Sequence, residues 1–239
     1  MLLRYPRSLY AGVAVVMTAA YVVLAFVLGD MVLESFNGIS ILPWAFVSFL
    51  GGLTAGVTAF LVLKRVKSDK NAISHTTPRS KLGIGIADFL VRYFTVALLP
   101  FCLVFFGAVL TQTIVHHRGL LLLGVVPSSL LFLAAMALIG EIIALLVDLE
   151  ILAVLVSFVV GTILSLYATS LHASVSNWET VNPAAFIFAA ICFAIALAGK
   201  CVGDWLRITT HVTLSRLIQG VVLVVFFAVF YSLSSSSSD

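Results

Sequence analysis

The chain reads as long apolar runs separated by short polar stretches. Seven runs approach or exceed the roughly 20 residues that a helix needs to cross a hydrocarbon core about 30 Å thick. They lie at about 10–33, 41–63, 93–115, 119–147, 150–171, 183–200 and 216–233. Strands of a membrane barrel alternate apolar and polar positions over about ten residues. Runs such as "LLLLGVVPSSLLFLAAMALIG" do not alternate. The pattern therefore predicts an all-α membrane protein, a bundle of seven transmembrane helices. The division between the fourth and fifth runs rests on length. A single helix from Gly119 to Leu171 would be about 80 Å long at 1.5 Å per residue, and Asp148 and Glu150 supply the turn between two spans.

Two segments between the second and third runs differ in pattern. Residues 64–81 are polar, contain Pro78 and lack hydrophobic periodicity, which predicts a mobile loop. In "LGIGIADFLVRY", residues 82–93, apolar positions are interleaved with Asp88 and Arg92. That spacing predicts a short interfacial helix leading into the third span. Asp88 and Arg92 stand four apart, where side chains share a helix face.

Composition excludes a water-soluble fold. The chain is 62% hydrophobic and 10% charged, with a mean hydropathy of +1.21, against about 25% charged residues in soluble domains. It forms a single polytopic domain over residues 1–233, followed by a Ser-rich tail at 234–239 expected to be disordered. No cleavable signal peptide is apparent, because the first apolar run exceeds a typical signal core.

Charge sets the expected orientation. With seven spans, 12 of the 13 Lys and Arg residues fall on one side, and Arg118 alone lies on the other. The positive-inside rule makes the cationic side cytoplasmic. The N-terminus is then cytoplasmic and the C-terminus outside. Trp44, Trp178 and Trp205 sit at run ends, where amphipathic rings favour the headgroup region. The cations thus report topology, and the net charge of +3 is no sign of a nucleic-acid partner. Short loops and the clean charge bias point to the plasma (inner) membrane of a bacterium.

Candidate chemistry is sparse. Cys102, Cys192 and Cys201 form no C-x-x-C pair, which argues against a disulfide framework or metal site. His116 and His117 are adjacent, about 100° apart on a helix, and so read as a solvated turn. No G-x-S-x-G, H-E-x-x-H or P-loop is present. The chain is therefore expected to be no enzyme, with no cofactor and no metal.

Glu141 is the only carboxylate well inside an apolar run. An ionisable group at membrane depth suggests function. Glu141 and Asp148 are seven apart, on one predicted helix face that would bind a cation or relay protons. The other reading pairs Glu141 with a basic residue of a neighbouring helix. In the long inner loop, Lys64, Arg65, Lys67, Lys70, Arg79, Lys81, Asp88 and Arg92 would dock a cytoplasmic partner such as an ATPase, or anchor to anionic headgroups. Gly52 and Gly56 in "GGLTAG" form a small-x-x-x-small pattern suited to close helix packing, within the chain or against another subunit. Pro100 and Pro127 are candidate kinks.

The segment "AIALAGKCVGDWLRITTHVTLSRLIQGVVLVVFF", residues 194–227, resembles the end of sulfite-exporter-type permeases. The glycine-rich motifs that open each half of those permeases are missing, so no function is carried onto particular positions. Two readings stand. One is a small-solute transporter, or the membrane subunit of one. The other is a non-catalytic accessory subunit of a larger membrane complex, supported by the scarcity of polar groups in the spans. Lipid, a second copy of the chain or other membrane subunits are the expected partners.

Overall fold

A computed structural model describes the backbone of residues 7–36, 42–68, 78–116, 126–147, 149–173, 183–208 and 212–235. It describes the side chains of residues 8–23, 49–64, 86–107, 126–147, 149–168, 183–205 and 213–228. The secondary structure of the described residues is entirely helical, with no strand among them. The elements are α1 (Arg7–Phe36), α2 (Leu42–Ser68), α3 (Pro78–Tyr93), a π-helical segment (Phe94–Leu98), α4 (Leu99–His116), α5 (Val126–Leu146), α6 (Glu150–Ala173), α7 (Pro183–Ile208) and α8 (Val212–Ser235). Because α3, the π segment and α4 are continuous, these elements form seven helical stretches.

Among the described residues, four segments are long and apolar enough to cross a membrane: Ile86–Gly107, Val126–Leu146, Glu150–Ala168 and Pro183–Trp205. The described parts of the longer helices α1, α2 and α8, Ser8–Val23, Phe49–Lys64 and Thr213–Ala228, are also apolar.

Prolines shape the helix starts. Pro78 and Pro183 are the first residues of α3 and α7, and Pro127 is the second of α5. In a first turn the missing N–H costs nothing, so Pro127 opens its helix and does not kink it. Pro100 lies deeper, inside the α3–α4 stretch. It has no N–H for the carbonyl four residues back, and its ring crowds that carbonyl. The helix widens just upstream, over Phe94–Leu98, where the Leu99 N–H reaches back five residues to the Phe94 carbonyl. The Thr95 hydroxyl bonds the Val91 carbonyl at 2.7 Å within the same region.

The segment between the second and third runs is more helical than its polarity suggests. α2 continues to Ser68 and α3 begins at Pro78, while residues 69–77 lie outside the described residues. The third candidate span already includes Ile86 and the residues after it, upstream of residue 93. Asp88 and Arg92 made this region look superficial, because hydropathy charges each ionised side chain its full transfer cost. The structure buries both, at 6% and 3% exposure.

α5 occupies the centre of the bundle. From Phe132 to Ala144 its residues are buried without interruption, as expected of a helix with neighbours on every side. α2 packs between α5 and α6, α7 covers another side of α5, and α8 lies over α7. α1 packs on α4 and α2, with Met17 and Tyr21 fully buried and the Tyr21 hydroxyl 3.3 Å from Thr54 Oγ1.

Small residues let α2 approach closely. A methyl group added at Gly161 of α6 would stand 2.7 Å from the Gly51 carbonyl oxygen and 2.9 Å from Gly52 Cα. One added at Gly140 of α5 would press on the backbone of Ala55. The "GGLTAG" pattern thus packs within the chain: Gly52 and Gly56 both face α6.

The outward faces are apolar. Ile151, Leu155 and Val159 of α6, Leu217, Val221 and Val224 of α8, and Val15 and Val16 of α1 are all exposed. A water-soluble monomer rarely shows contiguous apolar patches of this kind. Apolar side chains outside and charged ones inside fit a helical membrane protein.

Candidate functional site

The buried charge gathers at one end of the bundle, around Glu141. Glu141 stands about one and a half turns before the end of α5, next to Gly140, whose missing side chain admits α2. Its carboxylate is 1% exposed. α3 delivers Arg92 to it. Arg92 Nε donates to Glu141 Oε1 at 2.7 Å, and Nη2 lies 2.5 Å from the same oxygen.

α7 delivers Lys200 from another side. Its Nζ lies 2.6 Å from Glu141 Oε2 and donates to Asp204 Oδ2 at 2.9 Å, one turn further along the same helix. Among the described residues, no hydrogen bond of good geometry reaches Glu141 Oε2. The ammonium meets that oxygen as an ion-pair contact. Asp88 lies one turn before Arg92 on α3, also buried.

Exposure rises steadily through the cluster. The side chains of Glu141 and Arg92 are 1% and 4% exposed, Lys200 12%, and Asp204 27%. Access therefore comes from the end of α7 that carries Asp204 and the exposed Trp205. α8 braces that end. The Ser215 hydroxyl donates to the Gly203 carbonyl at 2.8 Å, and the Gln219 amide packs where a side chain on Gly203 would lie. Both polar residues are buried.

A second charge contact marks the rim at the same end. Lys64, near the end of α2, lies 3.2 Å from Glu150 Oε1 at the start of α6, with 49% and 23% of the side chains exposed. Its ammonium also stands 5.3 Å from the centre of the Phe60 ring.

The energetics of the two charge sites differ. Burying ions costs several kcal/mol each, and apolar replacements of a buried ion pair are often neutral or stabilising. An exposed pair is worth about 0–1 kcal/mol. Stability alone does not account for four charges drawn together inside a bundle whose other described buried polar groups are mostly small hydroxyls. Two of those hydroxyls turn back on their own helices, Ser165 to the Gly161 carbonyl at 2.6 Å and Thr95 to the Val91 carbonyl at 2.7 Å.

Comparison with family models, with curated proteins and with solved structures finds no match to this chain.

The candidate residues fall in different places. Glu141 sits at the centre of the cluster and pairs with basic residues of two neighbouring helices. Asp148 lies outside the described residues. α5 ends at Leu146. Asp88 and Arg92, expected at a docking or headgroup surface, are interior. Lys64 is at the rim. Arg65 and Lys67 continue α2, and Arg79 and Lys81 open α3, but their side chains lie outside the described residues, as does all of Lys70. His116 ends α4, and His117 is outside the described residues. Among the described residues, no three His, Cys, Asp or Glu side chains converge as metal ligands do.

Sequence reasoning missed Lys200 and Asp204. The signal available was positional. Arg92, Glu141 and Lys200 each lie near the same predicted end of a different apolar run.

Proposed function

We propose that this chain is a non-enzymatic, seven-span transporter of a small solute, or the membrane subunit of one. Its working centre is the cluster of Arg92, Glu141, Lys200 and Asp204. The observation that carries the reading is the burial of these charges among three helices, with exposure rising toward one end. Such an arrangement costs stability and gains electrostatic reach into the bundle, which suits a group that must meet a polar solute at membrane depth. The cationic end faces the cytoplasm in this reading, and the membrane is the bacterial inner membrane. An ATPase remains a proposed partner only for the basic segment between α2 and α3.

The test is flux in proteoliposomes across a panel of small radiolabelled solutes. Wild-type protein should move at least one of them. Glu141→Gln should lower that flux tenfold or more while the variant still extracts as folded protein. Normal flux in the variant would remove Glu141 from the mechanism.

A second reading is an accessory subunit of a larger complex. It draws on the pairing of every charge in the cluster, which a structural lock would also show. Gentle extraction and native mass decide between them. A defined set of stoichiometric partners, with no flux from the isolated chain, would favour the subunit.

A further inference from the structure

We propose that the position held by the Lys200 ammonium is a binding site for the primary-ammonium group of a small organic cation, with Lys200 as its built-in occupant. The idea deepens the transport reading and rests on it for its physiological purpose. The ammonium position is built from two carboxylate oxygens, Glu141 Oε2 at 2.6 Å and Asp204 Oδ2 at 2.9 Å. Arg92 holds the other oxygen of Glu141, so the carboxylate keeps its orientation when Lys200 moves away. Oε2 is buried and has no well-directed hydrogen bond among the described residues. An incoming N–H donor would supply one.

Lys200 can yield this oxygen without losing both partners. Asp204 lies four residues on along the same helix, so that pair travels with α7. The contact to Glu141 crosses from α7 to α5 and breaks when the two helices shift. Asp204 is also the most exposed member of the cluster, so a lysine retained there points toward the open end while the buried oxygen is vacated.

The donor set selects the ligand. Metal cations such as calcium and magnesium take about six or more oxygen ligands. The described residues offer two carboxylates here and no metal-like group of three. An ammonium needs a few acceptors for its three N–H donors, and two charged ones already stand at hydrogen-bond distance. Other charged and polar groups on the elements around the cluster include Asp88, Arg92 and Tyr93 on α3, Ser128 and Ser129 on α5, Arg207 on α7, and Thr213, Ser215, Arg216 and Gln219 on α8.

The experiment uses the full chain in detergent micelles, with methylammonium as probe and tetramethylammonium, which has no N–H, at equal ionic strength as control. In Lys200→Ala, methylammonium near saturation should raise Tm by about 3 °C or more, and tetramethylammonium should leave it unchanged. The wild type should shift the same way at concentrations about tenfold higher, because Lys200 holds the site for most of the time. No methylammonium-specific shift in the variant overturns the inference. A shift confined to the variant shows only a vacated cavity and overturns it for the natural chain. If Lys200→Ala does not fold, its yield of monodisperse protein becomes the readout. Recovery in methylammonium alone supports the site, and no recovery overturns it. These outcomes are separate from the flux assay. Binding without flux would keep the site and reject the transporter, and flux without methylammonium binding would do the reverse.

Discussion

α5 is held on two sides by opposite means. Toward α2 the contact is made by shape, Gly140 against Ala55, and α2 meets α6 in the same way, at Gly51 and Gly52 against Gly161, with backbones close enough that one methyl group intrudes. Toward α3 and α7 it is made by charge: Arg92 and Lys200 on the two oxygens of Glu141. Lipid tails are as apolar as leucine, so no hydrophobic force presses these helices together. Close packing and polar attraction are what remain, and this molecule separates them. The packed side has nothing to exchange and only one good fit. The charged side has partners that can be traded, which is why function is placed there.

The two sides should break differently. The largest effect is expected from Arg92→Ala, which leaves Glu141 buried with half its charge compensation gone. Removing one member of a buried pair typically costs about 3–5 kcal/mol, to be read as loss of the denaturation midpoint in micelles. Next comes Gly161→Ala on the packed side. The added methyl would meet backbone atoms that cannot step aside, for a cost of about 1–3 kcal/mol, with no change expected in any flux per folded molecule. The variant Asp88→Leu, Arg92→Met, Glu141→Leu, Lys200→Met, Asp204→Asn sharpens the contrast. Apolar replacement of a whole buried charge set is often neutral or stabilising, so the protein should fold about as well as wild type and carry no flux. Retained flux would make the charged side structural, like the packed one. Ser215→Ala should cost about 1 kcal/mol through its lost bond to Gly203. Smallest of all is Lys64→Ala at the rim, at about 1 kcal/mol or less. That effect should fade in high salt, whereas the effect of Arg92→Ala should persist, because buried pairs are screened far less.

Much of the helical layout was legible in the sequence, because membrane thickness demands long apolar runs and these leave a plain trace. Asp148 and Glu150 marked the break between α5 and α6, and Glu141 stood out as the charge furthest from any run end. The start of the third span was harder to see. Arg92 and Asp88 read as surface residues because the cost of each was counted alone, and the partner that makes Arg92 tolerable lies 49 positions away. Lys200 was hidden for a related reason. At the end of an apolar run a lysine normally reaches outward to the headgroups, and only the packing of α7 on α5 turns it inward. Pairing across helices is a property of the folded bundle, and one sequence read by itself does not contain it.

The widened turn at Phe94–Leu98 has a consequence for how this centre is aimed. A π-helical turn takes up one residue more than an α-helix would use there. Each residue in an α-helix advances the chain by about 100°. Were these same residues wound as regular α-helix, the whole of α3 would swing by about that angle relative to α4. Arg92 would then face away from Glu141, although no residue of the cluster had been altered. One residue's worth of slack in the chain sets the azimuth of the guanidinium, so the electrostatics of the bundle depend on a local count of residues as well as on which side chains it contains.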